Sequence, residues 1–428
     1  MTPSQIPPLV SFCIPTHNRS RYLQSLLAGL CDQLAGFAYP FEVVIADNAS
    51  PDGTAAVVAG FAEALPIRYL RHAENIGGYP NIQYVMSQAI GRYLVYLSDD
   101  DCLLGDQVAA AVAKMEADPE IAIVYAPWLL YDLVDQTDLG QFYSVPHDLY
   151  VPRGKHGMLL DHILRHHIFP EVQIVRREAF NATLPRVRDP AFLAFMHSAD
   201  YLTRGAVLIQ QQPFYVSITR YFADEERAQL GTEEVEHAWD RYRGGLDYLL
   251  ACSQEGIGVE ERHGYQLRIQ RMIAQRMAVA VRLRHAKGRD PVDTYYIAMR
   301  LRGMGYEAML PVPLATLASA AALHFLLTDT ELNRGITQLL CVGPKDAAVA
   351  AYVRQHALLP VEFTARLPAR SDLSHTLVFL REAAAGGHAG PAGTVDPTDP
   401  AGILDPVDLV RRNARVVLEH DLMAKFGL

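Results

Sequence analysis

Short apolar runs alternate with helical spacing from residue 9 to residue 125, and that alternation leaves few folds open. Leu9–Ile14 is a continuous apolar strand, after which Leu23, Leu26, Leu27, Leu30 and Leu34 recur at helical intervals. Glu42–Ala46 reads as strand, and Asp52-Gly53-Thr54 opens a helix to about Ala64. Strand follows at Ile67–Leu70, helix at Tyr79–Ile90 and strand at Tyr93–Leu97. Helix at Leu104–Ala117, closed by Pro119, precedes strand at Ile121–Tyr125. Strands alternating with helices of this length predict right-handed βαβ units on a mainly parallel sheet covered on both faces. Continuous apolar strands such as Val43-Val44-Ile45 agree, because a strand covered on both sides has no polar face to show water.

In such sheets ligands sit beyond the carboxyl ends of the strands, near the switch in strand order. Polar and glycine-rich residues gather in four successive strand-end loops here. They are Pro15-Thr16-His17-Asn18-Arg19, Asp47-Asn48-Ala49-Ser50-Pro51-Asp52-Gly53, Arg71-His72 through Asn75-Ile76-Gly77-Gly78, and Ser98-Asp99-Asp100-Asp101. Any one would pass as turn chemistry; four on one edge would not. The aspartates add a physical demand, since an unpaired buried carboxylate costs roughly several kcal/mol or more. Something cationic must sit against them, and a hard divalent ion that shares its shell with phosphate is the expected candidate. No G-x-G-x-x-G follows the first strand and no G-x-x-x-x-G-K-[ST] occurs, which disfavours a dehydrogenase or P-loop enzyme.

These motifs together closely resemble the family 2 glycosyltransferases, inverting enzymes of the GT-A fold, over roughly the first half of the chain. The matching residues are P-T-x-N-R at Pro15–Arg19, V-x-D-N-A-S-x-D-G-T at Val44–Thr54, N-x-G-G at Asn75–Gly78 and the D-x-D metal motif at Asp99–Asp101. The look is of transferases that build bacterial lipopolysaccharide, capsule or similar glycans. The resemblance implies that Asp47 reads the nucleobase and that Pro15, Thr16, Asn18 and Arg19 line the nucleotide pocket. Asn75, Gly77 and Gly78 would let the backbone approach donor ribose or phosphate. Asp101, with Asp99, would hold Mn2+ or Mg2+; Asp99 would also face the donor, and Asp100 is the ambiguous middle member. The donor would be a UDP-, dTDP-, GDP- or CDP-linked sugar, and the acceptor a glycan or lipid-linked hydroxyl.

Inverting transfer needs a base at the acceptor hydroxyl. The progression Asp200-Tyr201-Leu202, Gly205, Ala206–Ile209 and Pro213-Phe214-Tyr215 resembles the family's acidic helix start, glycine, strand and P-x-Y, which implicates Asp200. Ala199 replaces the first acidic member of the family's pair, and Asp189 is the rival base. Val172–Glu178 resembles the family's strand and R-R-E helix start, which would help shape the acceptor side. A nucleotidyltransferase-like enzyme and a non-catalytic nucleotide-sugar or glycan-binding module are the alternative readings.

The length of 428 residues calls for more than one core. The expected divisions are a glycosyltransferase domain at 1–230, with a nucleotide-sugar half to residue 127 and an acceptor half from 128, then a helical region at 231–330. A small α/β unit at 331–428 would follow, with a mobile loop at 383–400 and a closing helix at Leu404–Phe426. Net charge of −10 and the lack of an aromatic stacking pattern argue against nucleic-acid binding. Five scattered cysteines and no leader ahead of the first strand predict a cytoplasmic protein with reduced thiols. Between Arg262 and Arg302 ten Lys/Arg face two Asp, with Ile269, Met272, Ile273, Met277 and Leu283 forming an apolar stripe. Such a helix could rest peripherally on the inner face of an anionic membrane, or be an ordinary solvated helix. His162 and His166 at i, i+4 are a weaker metal pair. A homo-oligomer is compatible with all of this.

Overall fold

The computed structural model describes residues 7–183, 191–224, 235–237, 239–253, 257–343, 347–364, 373–381, 412 and 414–427. The chain divides into two compact units, Met1–Glu234 with Ala238–Ile273, and Val235–His237 with Ala274–Leu428. That division falls inside the stretch expected to be a separate helical region.

The first unit follows the expected alternation. It runs β1 (Val10–Thr16), α1 (Ser20–Gln33), β2 (Phe41–Asp47), α2 (Thr54–Gly60), β3 (Ile67–Arg71), α3 (Gly78–Gln88), β4 (Tyr93–Tyr96), β5 (Cys102–Leu103), α4 (Gly105–Ala117) and β6 (Ile121–Tyr125). Then come β7 (Trp128–Asp132), β8 (Thr137–Gln141), β9 (Leu149–Val151), α5 (His156–His166), β10 (Gln173–Arg176), α6 (Arg177–Ala182), α7 (Leu193–Arg204), β11 (Ala206–Ile209) and β12 (Tyr215–Arg220). Helix α8 (Trp239–Cys252) follows, then α9 (Val259–Ala286), whose residues from Ala274 belong to the second unit. The main sheet has the order β3-β2-β1-β4-β10-β6-β11-β9. Six of its strands share one direction, while β10 and β9 oppose them. The fold class is therefore α/β with a mainly parallel sheet, as the alternation required.

Helix α1 buries Leu23, Leu26, Leu27 and Leu30, and β1 and β2 bury Phe12, Ile14, Val43, Val44 and Ile45. Each such side chain contributes about 1.5–3 kcal/mol of transfer free energy. The order places β1 beside both β2 and β4, so the chain leaves β1 to one side and returns to the other. That is the switch in strand order, and in such sheets the ligand crevice lies there, here beside the loops after β1 and β4. A second sheet, β5-β12-β7-β8, begins one residue after the aspartates. The acidic turn is thus the corner where the chain passes from one sheet to the other.

Antiparallel β10 corrects one expectation. Arg176 pairs with Tyr93, the first residue of β4, and Arg177 donates its N–H to Arg92 O at 2.8 Å. The R-R-E segment therefore lies at the strand-start edge, opposite the aspartates. Arg176 serves the fold there, donating to Ile121 O, Met115 O and Tyr93 Oη at 3.2, 3.0 and 3.3 Å.

In the second unit α10 (Pro291–Gly303) starts on Asp290, whose carboxylate accepts from Val292 N at 2.8 Å. Helix α11 (Leu314–Thr328) is the apolar stretch that follows Pro311 and Pro313. Then come β13 (Gln338–Val342), α12 (Ala347–His356), β14 (Val361–Thr364), β15 (Thr376–Leu380), β16 (Arg415–Leu418) and α13 (Glu419–Lys425). The four strands are all parallel, in the order β14-β13-β15-β16. The closing segment is not one helix. Arg415–Leu418 pairs with β15, because β-branched Val416 and Val417 suit a sheet, and helix begins only at Glu419. The loop expected at 383–400 lies outside the described residues. Among the described residues no helix is long and apolar enough to cross a membrane. On α9 four residues of the apolar stripe, Ile269, Met272, Ile273 and Met277, are at most 3% exposed, while Leu283 is half-buried.

Candidate functional site

The loop after β1 closes on the loop after β4. Thr16 Oγ1 donates to Asp99 Oδ2 at 2.7 Å, and Arg19 Nη1 lies 3.2 Å from Asp99 Oδ1 and 2.8 Å from Asp100 Oδ2. Ser98 Oγ donates to Asp100 Oδ1 at 2.6 Å. Asp99 and Asp100 are only 4% and 5% exposed. Burial, reinforced by the neighbouring Asp100 charge, raises the Asp99 carboxyl to about 7 against the pull of Arg19 and Thr16. Among the described residues, Arg19 supplies a cation to both packed carboxylates.

Asp101 faces the other way. Its Oδ2 accepts from Tyr215 Oη and its Oδ1 from Ile218 N, both at 2.8 Å, which fastens β12 to the aspartate turn. Tyr215 Oη also accepts from Ser98 N at 3.1 Å. Burial and the Asp101 charge push the Tyr215 hydroxyl well above the usual tyrosine range, so it stays a donor. The metal expectation named Asp101 and Asp99; the seat a cation takes in the structure lies between Asp99 and Asp100. Strand-end alternation does not decide which aspartate turns inward, because the chain is already bending into β5.

The second and third loops form a connected network. Asp47, fully buried, accepts from Ser50 N at 2.8 Å on Oδ1 and from Tyr69 Oη on Oδ2, with Arg71 Nε 3.5 Å away. Burial and that hydrogen bond raise the Tyr69 hydroxyl. Ser50 Oγ in turn accepts from Asn18 N at 2.8 Å, and Asn18 takes a left-handed φ of 53° that asparagine tolerates. Asn48 ties the loops together. Its Nδ2 donates to Asn75 Oδ1 at 2.8 Å and Gly77 O at 3.2 Å, and its Oδ1 accepts from Ile76 N at 2.8 Å. Gly77, at φ 92°, precedes α3, whose first residue is Gly78; a side chain at that angle would be strained. Pro15 stays inside β1, beyond the stretch that pairs with β4.

Asp47 thus holds its own loop in place. Asn48, Asp52 and Tyr215, which stand within the motifs, also hold the site together. Asp52 accepts from Ser20 N at 2.9 Å and Thr54 N at 3.1 Å, capping the starts of α1 and α2 at once. Burial opposes its charge, but the Thr54 and Ser20 hydrogen bonds hold its carboxyl below the usual range. The motif spelling was the only signal for these three, and their roles rest on contacts between distant loops.

Asp200 is not at a helix start. Helix α7 begins seven residues earlier, because the apolar run through Phe195 extends it and buries Phe195, Met196, Ala199 and Leu202. Asp200 lies one turn from the end that leads into β11, near the strand-start edge, where Leu202 O accepts from Gly154 N. Its Oδ1 accepts from Tyr248 Oη at 3.0 Å on α8. Asp189 lies outside the described residues. The rings of His162 and His166 are 6.3 Å apart, and burial lowers both imidazoles. Among the described residues no group of three or more His, Cys, Asp or Glu is arranged to hold a metal. A cation at Asp99 and Asp100 would draw its remaining ligands from phosphate and water, which suits Mg2+ and similar hard ions.

Residues 11–184 match the family model for glycosyl transferase family 2. Abequosyltransferase RfbV of Salmonella typhimurium is 36% identical over 115 residues, covering 26% of this chain and 34% of that protein. Validoxylamine A glucosyltransferase of Streptomyces hygroscopicus subsp. jinggangensis is 30% identical over 261 residues, covering 60% of this chain and 56% of that one. Residues 1–349 of S. aureus TarS with UDP-GlcNAc overlay at a TM-score of 0.44 and 14% identity, over 74% of this chain and 85% of that one. The chain spans about a third of the length of the first curated relatives it matches.

Proposed function

Residues 11–184 form a glycosyl transferase family 2 domain, and from that premise we propose that the protein is a metal-dependent, inverting glycosyltransferase. It moves a sugar from a UDP-, dTDP-, GDP- or CDP-linked donor to a hydroxyl of a glycan or lipid-linked acceptor, in bacterial surface-polysaccharide synthesis. The names of two relatives, an abequosyltransferase and a glucosyltransferase, support sugar transfer.

One observation carries the reading: two buried carboxylates, Asp99 and Asp100, share a cation seat at the switch point between β1 and β4. Thr16 and Ser98 orient those carboxylates, and Asp101 with Tyr215 holds the turn that presents them. Asn48, Asn75 and Gly77 set the neighbouring loop as a rim against which the nucleoside would lie. Mn2+ or Mg2+ held by Asp99 and Asp100 would offset charge building on the leaving diphosphate.

Thermal-shift measurement of the protein with UDP-, dTDP-, GDP- and CDP-sugars, with and without Mn2+, tests this. One nucleotide class should raise the melting temperature only when Mn2+ is present. No metal-dependent shift with any of them sinks the reading. The base is decided separately by Asp200→Asn. Lost transfer with donor affinity intact assigns the proton to Asp200, whereas unchanged transfer leaves it the work of joining α7 to Tyr248.

A further inference from the structure

Among the described residues, one nitrogen reaches both carboxylates of the seat described above. Arg19 Nη1 touches Asp99 Oδ1 and Asp100 Oδ2 together. A hard divalent ion takes carboxylate oxygens at roughly 2.0–2.6 Å, so it cannot use these two while that nitrogen stays between them. One of the two cations must leave, and the surroundings say which partner moves. The carboxylates are pinned: Asp99 by Thr16 Oγ1, Asp100 by Ser98 Oγ, and both are almost wholly buried. Arg19 is the more exposed party. Its side chain is 27% exposed, it sits in the loop just ahead of α1, and its guanidinium lies 5.8 Å from the Tyr22 ring.

We propose that Arg19 is a resident counter-ion that exchanges with the divalent cation: it neutralises Asp99 and Asp100 in the empty site, and on cation entry swings out to bind the donor's diphosphate. This rests on the donor-site reading and adds how its two ligands are coupled. A planar guanidinium released beside the crevice matches phosphate oxygens with two parallel hydrogen bonds. Cation alone must displace Arg19, and diphosphate alone must pull Arg19 from two carboxylates. Each therefore binds better when the other is present, and by the same factor. The empty site is also spared two unpaired buried charges, so the apo fold is stable without metal.

The test titrates Mn2+ by electron paramagnetic resonance, alone and with excess inorganic pyrophosphate, against a protein-free pyrophosphate control. Arg19→Gln should bind Mn2+ alone about tenfold more tightly than wild type, within the usual range of coupling factors. The same variant should lose the gain in Mn2+ affinity that pyrophosphate confers on wild type. Arg19→Lys keeps the charge without the fork. It should bind Mn2+ like wild type yet retain only a small part of the pyrophosphate gain. Unchanged or weaker Mn2+ binding by Arg19→Gln, with Asp99→Asn abolishing binding, overturns the exchange and leaves the donor site standing. Full pyrophosphate gain in Arg19→Lys also overturns it. Absence of Mn2+ binding in wild type and Arg19→Gln alike, with and without pyrophosphate, removes the metal reading and the exchange together.

Discussion

The β1–β4 half and the α7–α8 half of the first unit are built by different forces. Around β1–β4 the important side chains are polar, and they bond across long sequence separations. Thr16 reaches Asp99, Asn18 reaches Ser50, and Asn48 reaches Asn75. Around α7 and α8 the organising contacts are aromatic. Phe169, Phe192, Phe195 and Tyr242 pack ring on ring, with centroids 4.8–6.5 Å apart. Hydrogen bonds demand particular atoms at particular places, so the β1–β4 half is written in recognisable motifs. Apolar packing demands volume and shape, which many sequences satisfy. Asp200 lies in this half, inside α7, where it accepts from Tyr248 Oη.

The sharpest break of this contrast pairs two variants. Phe195→Ala empties a fully buried position and should cost about 3–5 kcal/mol of stability by urea denaturation, with donor affinity per folded molecule unchanged. Asp100→Asn should do the reverse. Transfer falls by roughly 10²–10³, the range seen when one electrostatic stabiliser is removed, while the unfolding midpoint moves little. If Phe195→Ala abolished donor binding in protein that remained folded, the two halves would not be separable in this way.

Tyr215→Phe should have an intermediate effect. It leaves the Ser98 N–H and Asp101 Oδ2 without their buried partner, at a cost of about 1–3 kcal/mol. Because the aspartate turn loosens, Mn2+ affinity should drop along with stability. A variant that loses stability but keeps wild-type Mn2+ affinity would show that the clamp on Asp101 does not position the seat.

The smallest effect is a pH dependence. The Asp99 carboxyl is raised to about 7 by burial and by Asp100, against about 3.9 in an unfolded chain. Between those values the native state keeps a proton that the unfolded state has released, so stability falls as pH rises and levels off above about 7. Metal-free wild type measured against Asp99→Asn should therefore lose relative stability from pH 4.5 to pH 7 in urea denaturation. A difference that grows with pH would mean the Asp99 charge is stabilised, not opposed, by its surroundings.

Much of this molecule was legible before any coordinates. Strand and helix order to residue 125 follows from hydrophobic period, and the strand-end edge follows from where Thr16, Asn48, Asn75 and the aspartates fall in that order. Four features were not legible. The antiparallel course of β10 moved the R-R-E segment to the far edge, and the apolar run before Asp200 lengthened α7 past it. Val416 and Val417 turned an expected helix into β16, and four residues of the stripe on α9 were already buried. Strand direction, helix starts beside apolar runs and the covering of a face all depend on partners distant in sequence.

The sequence by itself determined that carboxylates would crowd the end of β4, where burial of like charges calls for a cation or a bound proton. It carried the motif that names the family. Only the tertiary structure decided which carboxylates share the seat, since that depends on β12 drawing Asp101 away through Tyr215 and Ile218. Only the tertiary structure put Arg19 in the seat, by closing the β1 loop over the β4 loop across some eighty residues of chain. Local spelling sets charge and periodicity, while the pairing of charges is a property of which loops the sheet brings together.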